Sequence, residues 1–118
     1  MRKVVYENQI VFEVDSEDDI ARIDLKSVDR PYSVRIIRNN KELIHRTILS
    51  FSKEGLIQKK VFYIEDVEGN ELECIEYDKN EKIIRRMEYE NYPDGETKWM
   101  YVYDSDGNLI NKEFFEED

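Results

Sequence analysis

Residues 77–102 read YDKNEKIIRRMEYENYPDGETKWMYV, and the segments on either side keep the same spacing. In rows of 26 from Phe51 the chain gives FSKEGLIQKKVFYIEDVEGNELECIE, then this stretch, then YDSDGNLINKEFFEED. Phe51, Tyr77 and Tyr103 share the first column, Ile57, Ile83 and Leu109 the seventh, and Tyr63, Tyr89 and Phe115 the thirteenth. Gly69 and Gly95 fall in one column, Gly55 and Gly107 in another with Glu81 between them. Each complete row carries two turn signals about 13 residues apart, a spacing that suits strands joined by tight loops. The expected fold is all-β, an antiparallel meander of about eight strands built from these repeats.

Successive residues of a strand point to opposite sides, so alternation assigns the faces. One face carries Ile57, Val61, Tyr63, Ile83, Met87, Tyr89, Leu109 and Phe115; the other carries Lys60, Phe62, Ile64, Ile84, Arg86, Glu88, Ile110, Lys112 and Phe114. Rows of these side chains running across the sheet form the expected core. Upstream, Val4, Tyr6, Ile10, Phe12 and Val14 alternate as one long strand. Ser16 followed by Glu17, Asp18 and Asp19 reads as a capped helix start, giving one short helix over 16–28 with Ile20, Ile23 and Ser27 on one side. A strand through Ile23 and Leu25 is the rival reading. YSVRIIR and ELIHRTILSF then flank a hairpin loop at Asn39, Asn40 and Lys41. Such a sheet either twists and wraps partly around the helix or stays an open single layer.

The 118 residues suit one domain, with an irregular part over 1–50 and hairpin repeats over 51–118. Charged residues make up 39% and aromatic residues 12%, and the aromatic content argues for a folded chain. Residues 1–60 hold 12 Lys/Arg against 10 Asp/Glu, a balance of +2, while residues 61–118 hold 6 against 18, a balance of −12. An acidic half of that kind repels phosphate backbones and steers basic partners; its other use is solubility and edge protection. No apolar run reaches the roughly 20 residues of a membrane helix. The basic N-terminus lacks a cleavage site, and the single Cys74 suits a reducing compartment, so the cytoplasm is the expected location.

The stretch YPDGETKWMYVYDSDGNLINKEFF resembles the MORN-variant repeats of small bacterial antitoxin and immunity proteins, with Gly95, Trp99, Tyr101, Tyr103 and Gly107 as matching residues. YDKNEKII and YDSDGNLI also look like the Tyr-Asp repeats of polymorphic toxin shells. The resemblance covers residues 51–118; Glu81 replaces an expected Gly and the Trp occurs once. It implies a cytoplasmic inhibitor that neutralises a toxin by binding it.

Sites of other chemistry are weak. With Gly107 at position 6 of a calcium loop, Asp104, Asp106 and Glu113 take positions 3, 5 and 12, but Val102 falls where the first ligand belongs. The lone His45 and Cys74 are a poor nucleophile-base pair, because Cys74 lies in an acidic run that raises a thiol's pKa. No phosphate loop, nucleophile elbow or zinc spacing is present, which argues for a non-enzyme without cofactor or metal. The residues expected to carry binding are Trp99, Tyr101 and Tyr103, as anchors, with Glu71, Glu73, Glu88 and Glu90 around them. Their expected partner is a basic protein toxin, such as a nuclease. The alternative is a repeat-type structural or assembly module.

Overall fold

The computed structural model describes residues 1–117. Its strands are β1 (Arg2–Val5), β2 (Ile10–Val14), β3 (Tyr32–Asn40), β4 (Leu43–Phe51), β5 (Ile57–Asp66), β6 (Glu71–Tyr77), β7 (Ile83–Asn91), β8 (Thr97–Tyr103) and β9 (Leu109–Phe114). They form one sheet in chain order, with every pair antiparallel except β2 and β3. The all-β meander read from the repeats is therefore the fold, with nine strands. Among the described residues no helix is long and apolar enough to cross a membrane.

The five hairpins at residues 52–56, 66–70, 78–82, 92–96 and 104–108 share one geometry. In each, the N–H of the first residue donates to the carbonyl of the fifth, and that of the fourth donates to the carbonyl of the first. The fourth residue has positive φ in every case: Gly55, Gly69, Glu81, Gly95 and Gly107. This is a type I turn followed by a left-handed residue, and the bulge it makes shifts the register beside each loop. Asp66, Asp78 and Asp104 open three of these turns, and each Oδ1 accepts from the N–H groups two and four residues on. Those donors hold the carboxyls of Asp66 and Asp104 below the usual range.

Glu81 occupies the left-handed position at φ 62°, where a β-carbon crowds the carbonyl. Glu81→Gly should therefore raise stability by about 0.5–1 kcal/mol and the melting temperature by a few degrees. Thermal unfolding checks it, and a lower melting temperature would show that Glu81 makes a compensating contact.

The upstream half departs from the sequence reading. The expected long strand over Val4–Val14 is two strands, because the polar Glu7, Asn8 and Gln9 form a turn in which Tyr6 N–H donates to the Gln9 carbonyl at 2.8 Å. The hairpin loop after β3 is Lys41 and Glu42, with Asn39 and Asn40 inside the strand. The expected helix over 16–28 is two 3₁₀ segments, Glu17–Arg22 and Leu25–Ser27, and the Ser16 side chain caps neither. The break comes at Asp24, whose carboxylate accepts from Lys26 N–H at 3.0 Å and starts the second segment. Because β2 and β3 run parallel, the chain must travel back the length of a strand, and these two segments lie on that return.

That crossover lies on one face of the sheet and closes the core. Ile10, Phe12, Val14, Ile23, Val28, Tyr32, Val34, Ile36 and Leu49 are buried in one cluster, with Ile20, Phe51 and Ile57 packed against it. Val28, not the expected Ser27, supplies the inward residue; Ser27 is exposed and its Oγ donates to the Asp24 carbonyl. The repeat rows expected to be the core are mostly half-buried instead, since among the described residues no element covers β6 to β9 on this face. The radius of gyration, 16.3 Å, exceeds the roughly 13.5 Å of a compact domain this long. The C-terminal half is thus the open single layer.

Candidate partner-binding surface

Beyond the crossover, register sets the same face of β6 to β9 in ordered rows. Glu73, Glu88, Tyr101 and Lys112 stand side by side in one; Glu90, Trp99 and Phe114 form the next; Ile75, Arg86 and Tyr103 form a third. Six of the seven residues expected to bind a partner, Glu73, Glu88, Glu90, Trp99, Tyr101 and Tyr103, therefore share one patch.

The rings are held by one another and by cations. Trp99 lies 4.8 Å from Phe114 and 6.2 Å from Tyr101 between centroids. Lys112 Nζ sits 4.4 Å over Trp99 and 5.4 Å over Tyr101, and the Arg86 guanidinium lies 4.6 Å over Tyr103. Arg86 also pairs with Glu88 at 3.3 Å, and Tyr103 OH donates to the same carboxylate at 3.4 Å. Burial and the neighbouring Glu90 raise the Tyr101 phenol. Trp99, Tyr101 and Tyr103 are all half-buried, so each ring is packed on its neighbours yet reaches solvent. Such rings offer a partner large contact area with little left to order.

Glu71 is the exception. The bulge beside the 66–70 turn sets Glu71 opposite Glu65 while Ile64 opposes Glu73, and this turns Glu71 to the reverse face. There it lines a concavity of about 370 Å³ with Arg35, Ile37, Arg46, Tyr63 and Glu65. Burial, then the charge of Glu65, pushes its carboxyl up. Strict alternation hides this placement; the turn signal at Glu68-Gly69-Asn70 was the available clue, since a turn of this type inserts a bulge.

The reverse face also takes Cys74, in a row with Tyr63, Met87 and Val102. Burial, then Glu71 and Glu76, pushes its thiol up to about 11, and burial lifts the Tyr89 phenol to about 12. Cys74 should resist alkylation at pH 8 in the folded state, with about 100-fold less thiolate than an unburied thiol. Mass spectrometry after iodoacetamide checks this: rapid native labelling would contradict the burial.

His45 points to the opposite face from Cys74. It pairs in register with Ile64 on the crossover side, its ring lies 5.6 Å from that of Phe62, and its Nε2 is buried without a partner. The sheet itself separates thiol from imidazole. In the calcium-like stretch, Asp104 is engaged by its own loop N–H groups, while Glu113 lies on β9 opposite Met100; the ligand set is not assembled. No protein-family model, curated protein or solved structure matches the chain.

Proposed function

We propose that the protein is a non-enzymatic inhibitor of the antitoxin or immunity type, which works in the cytoplasm by laying the Trp99 face over a basic toxin domain. The observation that carries this reading is the contiguous patch of Trp99, Tyr101 and Tyr103 with Glu73, Glu88 and Glu90 on an uncovered sheet. A basic partner finds three carboxylates around three half-buried rings, and its own Arg or Lys side chains compete for the ring faces now taken by Lys112 and Arg86. The −12 balance of residues 61–118 adds long-range attraction, which speeds encounter at low salt.

The experiment is recovery of the tagged protein from its own cells, followed by salt-dependent binding kinetics with the copurified partner. Glu73→Gln, Glu88→Gln and Glu90→Gln together should slow association several-fold at low salt, with little change above the screening range. Glu71→Gln, on the other face, is the control and should change little. Binding that ignores both salt and the triple substitution removes the support for an inhibitor of a basic partner. The second reading, a repeat-type assembly module, draws on the five equivalent hairpins, and such kinetics would favour it.

A further inference from the structure

The strand β9 ends the sheet, and all six of its residues are exposed. Phe115 donates its N–H to the Lys98 carbonyl at 2.9 Å, so by alternation the backbone groups of Lys112 and Phe114 point away from β8. The Lys112 N–H is held by Asn111 Oδ1 at 2.9 Å and Ile110 lies in the bulge beside the last turn, which leaves the Phe114 N–H and the two carbonyls as the open edge, flanked by apolar side chains: Ile110 is 61% exposed and Phe114 50%.

The repeat shows what such a strand ordinarily holds. Lys60, Arg86 and Lys112 occupy the tenth column of the three rows. Lys60 reaches across to the next strand and sits 5.2 Å over Tyr77; Arg86 does the same to Tyr103 at 4.6 Å. Register sets each ring directly opposite its cation. Among the described residues no further strand lies beside Lys112, and it folds back over Trp99 and Tyr101 on β8 instead. The cation thus recurs three times and meets an outer ring twice among the described residues.

Building on the proposed binding role, we infer that β9 is a strand-addition site, taking an extended basic segment of the partner antiparallel to it, with an aromatic residue opposite Lys112. Charge selects the basic segment over a second copy of this chain. Residues 104–118 carry six Asp/Glu against one Lys, so two β9 strands together would set like charges side by side. Backbone hydrogen bonds would supply affinity, and the Lys112 contact and flanking charges specificity.

The probe is a capped peptide, KVRVYVRVK, titrated into the isotope-labelled protein. The expected result is slowed amide exchange at Phe114, with shifted resonances at Lys112, Phe114 and the Asn111 side chain that strand addition would release from the Lys112 N–H. Phe114→Pro deletes an outward N–H that β8 does not use, so the fold should persist while peptide affinity falls about tenfold or more. The same loss should follow without altering the protein when the peptide is N-methylated at its tyrosine and two arginines. Unchanged exchange at the Phe114 amide, or binding indifferent to N-methylation, overturns strand addition. Protection of the Phe114 amide without peptide, together with a concentration-dependent dimer in sedimentation, would name a second copy as the occupant and overturn the basic segment. Shifts confined to Glu73, Glu88 and Trp99 would leave the face reading standing and the edge inference refuted. Conversely, peptide binding at β9 alongside natural-partner kinetics that ignore the triple glutamine change would sink the face and keep the edge.

Discussion

Replacing Phe12 by alanine should cost about 3–5 kcal/mol and lower the melting temperature by more than about 10 °C. Phe12 is 4% exposed, it meets Tyr32 edge-on at 5.8 Å, and Tyr32 stacks on Phe51 at 4.9 Å. The crossover closes over this group, so a hole there loosens Ile23, Val28 and Val34 together. A domain of this size has only about 5–15 kcal/mol of stability in hand, and the loss takes a large fraction of it. The control is Ile110→Ala on β9, expected to stay within about 0.5 kcal/mol because it leaves no cavity. Denaturant unfolding of both variants checks the contrast, and similar losses would show that the core is not confined to the crossover end.

Trp99→Ala should separate binding from folding. Its ring touches Phe114, Tyr101 and Lys112 but is only half-buried, so the expected fold cost is about 1–2 kcal/mol. An anchor residue at the centre of an interface costs about 2–4 kcal/mol of affinity when truncated, roughly 30- to 1000-fold, mainly through faster dissociation. Dissociation kinetics with the recovered partner and a melting curve decide the matter. A fall in melting temperature as large as that of Phe12→Ala, with dissociation unchanged, would make Trp99 a structural residue.

The C-terminal meander was readable because its turns are local. Gly55, Gly69, Gly95 and Gly107 mark the left-handed positions directly, and even Glu81 keeps its column. Which residues share a face followed from alternation, and six of the candidate residues meet as a result. What alternation cannot carry is a bulge, and one bulge sent Glu71 to the other side. The crossover half was less legible for a different reason. Ile10, Val11 and Phe12 are all buried, so a period of two is lost there, and the Ser16 signal does not record that the segment breaks at Asp24 into two 3₁₀ pieces. Where the core lies was also hidden, because the regular repeats look more like a core than the irregular segment that in fact closes one.

Because each strand from β3 to β9 is hydrogen-bonded only to its neighbours in sequence, the molecule behaves as a one-dimensional array with one anchored end. Opening at β9 breaks a single ladder, while opening at β3 must break two ladders and uncover the buried cluster. Local unfolding therefore begins at the far end and climbs in free energy strand by strand towards the crossover. The outermost strand is the one most readily exchanged for another, and the most firmly held residues lie at the opposite end of the sheet. A partner that captures the loose end would damp this fraying along the array, so that occupancy at one side is felt as rigidity several strands away.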